Sequence, residues 1–308
     1  MTKQTTKHWS GVFPAVTTRF AADFSLDGEA MRRSLALQVE AGVDGIICCG
    51  SLGEASTLSV DEKVEVVRLA LEAAGGRIPV LGTVAETTTA KALEFVRKAQ
   101  AAGADGFMVL PGMQYVSDLR EAVTHYRAVA AASDRPLMIY NNPVAYRVDL
   151  GEDGVAELLE DPKFVAIKDS ADDVRRVTRL RNRFGDRVAI FAGVDNLALE
   201  SLLMGADGWV AGLVCAFPRE TVAIHRLVRA GRIEEALAVY RWFVPLLDLD
   251  VSTKLVQNIK LAESIVHGFA DTVRPPRLRL AGPERARVEE IVHGALATRP
   301  ALPDLGAA

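Results

Sequence analysis

The sequence contains little cysteine and no long hydrophobic run. Its three cysteines, Cys48, Cys49 and Cys215, have neither the spacing of a metal site nor that of a disulfide framework. No apolar stretch approaches the roughly 18 residues that a transmembrane helix requires. The first eight residues lack the apolar core of a signal peptide. These absences disfavour secreted and integral membrane proteins, and we expect a reduced, cytoplasmic protein.

The charge balance shows no surplus of basic residues. Lys and Arg number 36 and Asp and Glu number 40, which gives a formal net charge of -4. We therefore expect no nucleic-acid partner and no membrane partner. With 49% hydrophobic residues among 308, the chain is too apolar to remain disordered. Its length allows two domains, or a single α/β barrel of about 250 residues, and neither needs disulfides or metals for stability.

A short phrase, Ala-Gly-x-Asp-Gly or Met-Gly-x-Asp-Gly, recurs three times. It occupies residues 41–45, 102–106 and 204–208, and an apolar run follows it each time. A glycine at this place accepts the left-handed conformation that ends a helix, and the apolar run is typical of a short buried strand. The first two copies are separated by about two strand–helix units of roughly 30 residues each.

The rest of the chain continues the same alternation. Eight short apolar runs predict parallel strands covered on both faces, and segments with helical periodicity lie between them. This order predicts an α/β fold, a (β/α)8 TIM barrel. A doubly wound open sheet is the alternative, which is disfavoured because no Gly-x-Gly-x-x-Gly follows the first strand. The predicted strands are 12–17, 46–49, 78–84, 107–110, 136–141, 164–168, 188–193 and 209–211, and the helices lie near 28–41, 61–74, 88–102, 118–132, 172–184 and 196–204.

Only helical periodicity follows the eighth strand. It is interrupted by Arg-Pro-Pro-Arg at 274–277, because successive prolines cannot continue a helix. We therefore divide the chain into a catalytic (β/α)8 barrel over residues 1–230 and a C-terminal helical extension over residues 231–308. The extension either caps the barrel or provides a surface for self-association.

In a TIM barrel the reactive side chains lie where the strands end. Lys168 ends the sixth predicted strand, so its ammonium group should point into the mouth of the barrel beside apolar walls. Loss of hydration lowers the pKa of a lysine, and the neutral amine attacks carbonyl carbons to form a Schiff base. The alternative is a structural lysine that reaches solvent or pairs with Asp169.

Tyr140 ends the fifth predicted strand, which neighbours the strand of Lys168. Its phenol is placed to carry protons during Schiff-base formation, or else it anchors the rim of the barrel. The second strand is followed by Gly-Ser-Leu-Gly-Glu at 50–54, whose backbone amides and hydroxyl suit a carboxylate. Glu54 either braces this loop or acts on substrate. Other polar residues at strand ends are Thr17, Thr18 and Asp195.

Two other classes of function compete with Schiff-base chemistry. A metal- or phosphate-dependent barrel is disfavoured, because none of the five histidines ends a predicted strand. We therefore expect no cofactor and no metal. A non-catalytic binding or regulatory barrel is disfavoured by the proximity of Lys168 and Tyr140. The histidines are His8, His125, His225, His267 and His293.

Three motifs occur in the order found in one family. They are Gly-Ser-Leu-Gly-Glu at 50–54, Tyr-Asn-Asn-Pro at 140–143 and Ile-Lys-Asp-Ser at 167–170. Together they resemble the signature of the dihydrodipicolinate synthase / N-acetylneuraminate lyase family of class I aldolases, over nearly the whole chain. The resemblance implies a (β/α)8 barrel that acts on a small 2-oxo acid, needs no metal and forms a homotetramer.

The resemblance also implies roles for individual residues. Lys168 would form the Schiff base, and Tyr140 would carry protons. The Ser51 hydroxyl and the backbone amides of Ser51 and Leu52 would hold the substrate carboxylate. Gly193 and Val210 would line the same pocket.

Departures from the family pattern indicate which member this chain resembles. Leu52 replaces a second hydroxyl residue, residues 110–114 lack the tyrosine of the synthases, and Ala145 stands where the synthases have an arginine. These changes disfavour lysine biosynthesis, and the polar residues that bind sugar in neuraminate lyases are not evident.

A closer resemblance is to the 1-pyrroline-4-hydroxy-2-carboxylate deaminases of hydroxyproline catabolism, through residues 11–18, 140–143, 216–220, 240–243 and 274–278. It implies attack of Lys168 on a cyclic imine, with 2,5-dioxopentanoate and ammonia as products. The alternative is a pyruvate-dependent aldolase or a dihydrodipicolinate synthase-like lyase that condenses or cleaves a 2-oxo acid with an aldehyde.

Overall fold

The computed structural model of the chain describes residues 9–112 and 115–304. Eight parallel strands follow one another in the order β1-β8-β7-β6-β5-β4-β3-β2. The ring is closed between β1 and β2 by a single bridge from Ala15 to Ile47. A (β/α)8 TIM barrel with helices between the strands is therefore confirmed.

The strands and helices alternate as the apolar runs predicted, with differences at their ends. The first strand is shorter than predicted, because Thr17 and Thr18 already turn into a buried hydrogen-bond network. The helix predicted from 172 begins later, at Arg175. The strands are β1 Gly11–Pro14, β2 Ile46–Cys48, β3 Val80–Val84, β4 Gly106–Val109, β5 Leu137–Asn141, β6 Phe164–Asp169, β7 Ala189–Ala192 and β8 Gly208–Ala211, and the helices are α1 Gly28–Glu40, α2 Val60–Ala74, α3 Thr89–Ala101, α4 Leu119–Ala132, α5 Pro143–Tyr146, α6 Gly151–Leu158, α7 Arg175–Phe184, α8 Ala198–Leu203, α9 Pro218–Arg229, α10 Ile233–Leu247, α11 Leu255–His267 and α12 Gly282–Ala297.

The recurring Gly-x-Asp-Gly phrase links neighbouring strands at the base of the barrel. Asp44 donates its backbone N–H to Val12 O at 2.9 Å, and its carboxylate accepts the Val12 N–H at 2.8 Å. The aspartates of the other two copies form the same reciprocal pair, Asp105 with Val80 and Asp207 with Ile190. Each aspartate therefore adds two hydrogen bonds to the neighbouring strand just before its own strand begins.

The glycine that closes each phrase is required by close packing. A Cβ atom on Gly45 would lie 2.4 Å from the Phe13 ring, and one on Gly208 would lie 2.4 Å from the Phe191 ring. Such distances are shorter than van der Waals contact, so a larger residue would displace these aromatic rings. The rings belong to the cluster that fills the inside of the barrel: Trp9, Phe13, Ala15, Ile47, Leu81, Met108, Leu110, Met138, Tyr140, Ala166, Ala189, Phe191 and Val210.

The helices after β8 pack against the β1–β8 side of the barrel. Side chains of α9, α10, α11 and α12 share one hydrophobic cluster with β8. The predicted domain boundary at residue 230 falls in the turn between α9 and α10, and it stays a prediction. Within the described residues, no helix is both long and apolar enough to cross a membrane.

Candidate active site

Lys168 and Tyr140 lie side by side in the mouth of the barrel. They are paired in the register of β5 and β6, so both side chains point inward. The Lys168 amine lies 4.2 Å from the centre of the Tyr140 ring. The ion pair with Asp169 that the sequence left open is not formed, because the Asp169 carboxylate accepts hydrogen bonds from Asn141 and Arg176 on the other face of the strand.

The surroundings of Lys168 favour its neutral amine. Only 7% of the residue is exposed, and burial lowers its pKa. The negative charges of Asp250 and Asp195 oppose this effect. The amine donates no hydrogen bond to any described residue, so an incoming carbonyl group meets a nucleophile without a competing partner.

Tyr140 is held as a neutral phenol. Burial raises its pKa, which keeps the proton on the oxygen at neutral pH. The phenol oxygen accepts a hydrogen bond from Asn142 Nδ2 at 3.0 Å, and the Tyr126 hydroxyl donates to the Tyr140 backbone oxygen at 2.8 Å. The ring is thus fixed, with its face toward the Lys168 amine and its hydroxyl proton retained.

Tyr146 is a member of the site that the sequence analysis missed. It ends the short helix α5, and its hydroxyl forms a hydrogen bond with the Ser51 hydroxyl. Its ring meets the Tyr140 ring edge-on, with centres 5.7 Å apart. The only sequence signal is its place three residues after Pro143 of the Tyr-Asn-Asn-Pro motif. Ser51, Tyr146 and Tyr140 therefore form one cluster of hydroxyl groups beside Lys168.

The Gly-Ser-Leu-Gly-Glu loop divides its residues between the pocket and the scaffold. Ser51 is exposed, whereas Leu52 is buried. Glu54 has no exposed surface and accepts a hydrogen bond from Lys260 Nζ at 2.5 Å and one from the Arg274 backbone at 3.0 Å. Glu54 thus braces the loop, and its carboxylate ties β2 to the C-terminal helices.

Gly193 lies beside Lys168, and Val210 lies inside the barrel. A Cβ atom on Gly193 would lie 2.1 Å from Ser170 Oγ and 2.9 Å from Lys168 Cε, so only glycine leaves room for the lysine side chain. Val210 belongs to the cluster inside the barrel together with Tyr140. The roles of both residues toward substrate stay predictions.

Two aspartates complete the rim between β7 and β8. Asp195 is fully buried and accepts hydrogen bonds from Trp209 Nε1 at 2.9 Å and from the backbone N–H of Leu213 at 2.8 Å, so it fixes the loop after β8. Asp250, which the sequence analysis missed, lies in the turn after α10, and its carboxylate contacts Gly212. No local motif marks Asp250, because it reaches the pocket from the C-terminal helices.

The histidines and cysteines of the described residues belong to the helices and to the buried core. His125, His225, His267 and His293 belong to helices α4, α9, α11 and α12, and His8 lies outside the described residues. The three cysteines are buried, and burial raises the pKa of each thiol. Among residues 9–112 and 115–304, no group of three His, Cys, Asp or Glu side chains is arranged to hold a metal ion.

The barrel fold agrees with comparisons to known proteins. Residues 8–295 match the model of the dihydrodipicolinate synthetase family. The chain belongs to this family. The class I aldolase resemblance of the three motifs is thereby confirmed at the level of the family, and the protein is a family lyase.

Individual relatives support the assignment to the dihydrodipicolinate synthetase family. The 4-hydroxy-tetrahydrodipicolinate synthase of Sphingopyxis alaskensis is 32% identical over 91% of this chain and 97% of its own. The structure of the 4-hydroxy-tetrahydrodipicolinate synthase from Methylacidiphilum fumariolicum SolV has a TM-score of 0.87 at 29% identity. The similarity covers 94% of this chain and 98% of that chain. A prophage protein of the family from E. coli K12, in complex with pyruvate, has a TM-score of 0.88 at 26% identity, over 94% and 99%.

Proposed function

We propose that this protein is a lysine Schiff-base lyase that condenses or cleaves a small 2-oxo acid with an aldehyde. Lys168 attacks the carbonyl carbon of the 2-oxo acid, and loss of water gives a protonated imine. Tyr140 supplies and removes the protons of these two steps. The observation that carries the proposal is the buried, unpartnered Lys168 amine beside the Tyr140 phenol.

The substrate carboxylate is assigned to the loop after β2. The Ser51 hydroxyl and the backbone amides of Ser51 and Leu52 would receive it, and Gly193 and Val210 would line the opposite wall. Tyr146 already holds the Ser51 hydroxyl by a hydrogen bond, so the carboxylate would join an ordered group rather than organise a loose one. The bound pyruvate named for the E. coli K12 relative supports a 2-oxo acid as the common ligand.

A second candidate is deamination of 1-pyrroline-4-hydroxy-2-carboxylate, with attack of Lys168 on the imine carbon of the ring. Ala145 favours it, because a small apolar side chain stands where the synthases carry an arginine for a second carboxylate. The relatives from Sphingopyxis alaskensis and Methylacidiphilum fumariolicum SolV are synthases by name, which supports the aldehyde-dependent lyase more than the deaminase. No described observation requires the ring-opening reaction.

Borohydride reduction in the presence of pyruvate tests the proposal. We expect mass spectrometry to find a reduced pyruvate adduct on Lys168 and none in K168R. The matched control is K163R, because Lys163 lies just before the same strand at the opposite end and contacts the Ser133 backbone oxygen. Turnover of a 2-oxo acid with Lys168 unmodified in the wild-type protein would refute the mechanism.

The substrate is then resolved with two panels. One offers pyruvate with aldehydes that differ in charge, and the other offers the pyrroline hydroxycarboxylate with detection of ammonia and 2,5-dioxopentanoate. Product from the second panel alone would replace the lyase by the deaminase. We also propose a homotetramer, which sedimentation velocity would test.

A further inference from the structure

Asp250 and Tyr140 reach the mouth of the barrel at different strands, on either side of the strand that carries Lys168. Neighbouring strands of the barrel run β5, β6, β7 and β8, with Tyr140 at the end of β5 and Lys168 in β6. Asp250 contacts Gly212, which directly follows β8: a Cβ atom on Gly212 would lie 2.4 Å from Asp250 Oδ1. A phenol and a carboxyl group therefore enter the pocket of Lys168 from different sides of its strand.

The position of Asp250 is fixed by its own turn. The Asp250 backbone N–H donates to Leu247 O at 3.0 Å. Asn258 Nδ2 of α11 donates to Leu249 O at 2.9 Å, so the turn is held from both flanking helices. Fixed groups are the ones that serve in catalysis, because little free energy is spent on ordering them at the moment of reaction.

The Asp250 carboxylate has no structural partner. No described side chain or backbone group donates a hydrogen bond to it, and the residue keeps some exposed surface. Asp195, in contrast, uses both of its oxygens for the loop after β8. A half-buried carboxylate that no described group holds by a hydrogen bond keeps its oxygens available to accept a proton from a bound molecule.

The electrostatics connect Asp250 with the reacting lysine. Burial and the nearby Asp195 raise the pKa of Asp250, and the positive charge of Lys168 opposes this effect. Conversely, Asp250 is the charge that most strongly opposes the lowering of the Lys168 pKa. A protonated imine on Lys168 carries a positive charge, so Asp250 is favoured as a carboxylate at the stage when a base is needed.

We propose that Asp250 is the base that removes a C3 proton from the imine formed on Lys168. The C3–H bond breaks and its electron pair forms the C2=C3 bond. The C2=N electron pair returns to nitrogen, which gives a neutral enamine, and the proton goes to a carboxylate oxygen of Asp250. The reverse step returns the proton to C3. This inference rests on the proposed Schiff base at Lys168.

Exchange of the pyruvate methyl protons with D2O, followed by proton NMR, tests the inference without knowledge of the second substrate. In D250N we expect the adduct trapped by borohydride to stay within about threefold of the wild type, and exchange to fall by about 10²–10⁴, the usual contribution of a general base. D250E should retain more exchange than D250N. The matched control is D248N in the same turn, because Asp248 is exposed and contacts Asn196.

The outcomes separate this inference from the proposed function. A wild-type protein that forms no adduct on Lys168 would overturn both. A wild-type protein that forms the adduct, with D250N exchanging at the wild-type rate, would overturn only the role of Asp250. If D250N does not fold, D250S removes the same carboxylate with a smaller side chain, and the same comparison decides.

Discussion

Replacing Glu54 by glutamine should show how strongly the C-terminal helices are tied to the loop after β2. The Glu54 and Lys260 side chains have 0% exposed surface, and Lys260 Nζ lies 2.5 Å from Oε1. Removing one partner of a buried ion pair leaves an uncompensated charge, which costs about 3–5 kcal/mol. Typical domains have only about 5–15 kcal/mol of stability. E54Q should therefore lose a large fraction of the free energy of unfolding.

The loss of stability in E54Q should depend on pH, because Lys260 changes its charge near neutral pH. Burial lowers the pKa of Lys260 to about 8, and Glu54 opposes this lowering. Without Glu54 the lysine loses its proton at a still lower pH. Above pH 8 the lysine is neutral in both folded proteins, so E54Q no longer differs from the wild type by an unpaired ammonium group. The deficit of E54Q should therefore be largest below pH 8 and shrink above it.

Urea unfolding followed by circular dichroism, at one protein concentration and at pH 7 and pH 9, measures these differences. The double variant E54Q/K260M removes both charges, so it should be more stable than E54Q at pH 7. The reasoning fails if E54Q stays within about 1 kcal/mol of the wild type at pH 7. It also fails if the double variant gains nothing over E54Q.

Three further predictions concern the pocket. Y146F removes the hydrogen bond to Ser51, a loss of about 0.5–1.5 kcal/mol, so kcat/KM should fall about 2- to 13-fold, and an unchanged value would contradict the cluster. G193A places a methyl group against Ser170 Oγ and Lys168 Cε, so the pyruvate adduct trapped by borohydride should drop sharply, and wild-type trapping would refute the packing. Competitive labelling with acetic anhydride should give Lys168 a pKa below the ordinary value of 10.5, and a value at or above 10.5 would contradict the effect of burial.

The barrel could be predicted from the sequence because each strand carries a complete local signal. A short apolar run, covered on both faces, follows a glycine that ends a helix, and this pattern needs no knowledge of distant residues. Lys168 and Tyr140 could be paired in the same way, because the ends of neighbouring strands meet at one face. The exact end of β1 could not be predicted, since the Thr17 hydroxyl donates a hydrogen bond to Glu263, which lies far along the chain.

The rest of the pocket depends on contacts that no local pattern encodes. Asp250 stands in a turn between two helices, and only the packing of α10 and α11 on the barrel brings it to Gly212. Tyr146 follows a recognised motif, but its hydrogen bond to Ser51 joins loops after β5 and β2. The sequence alone does not decide whether Glu54 braces its loop or acts on substrate, because its partner Lys260 lies far along the chain in α11.

The reciprocal aspartate pairs at the base of the barrel also connect particular pairs of strands. Asp44 joins β1 to β2, Asp105 joins β3 to β4, and Asp207 joins β7 to β8, so these links fall within three of the four successive pairs of strands. Between β1 and β2, where the strands share a single β-bridge, the hydrogen bonds of Asp44 help to close the barrel. A circular permutant with new termini between β2 and β3 keeps each aspartate and its partner strand close in sequence. A permutant with new termini between β1 and β2 places Asp44 and Val12 near opposite ends of the polypeptide.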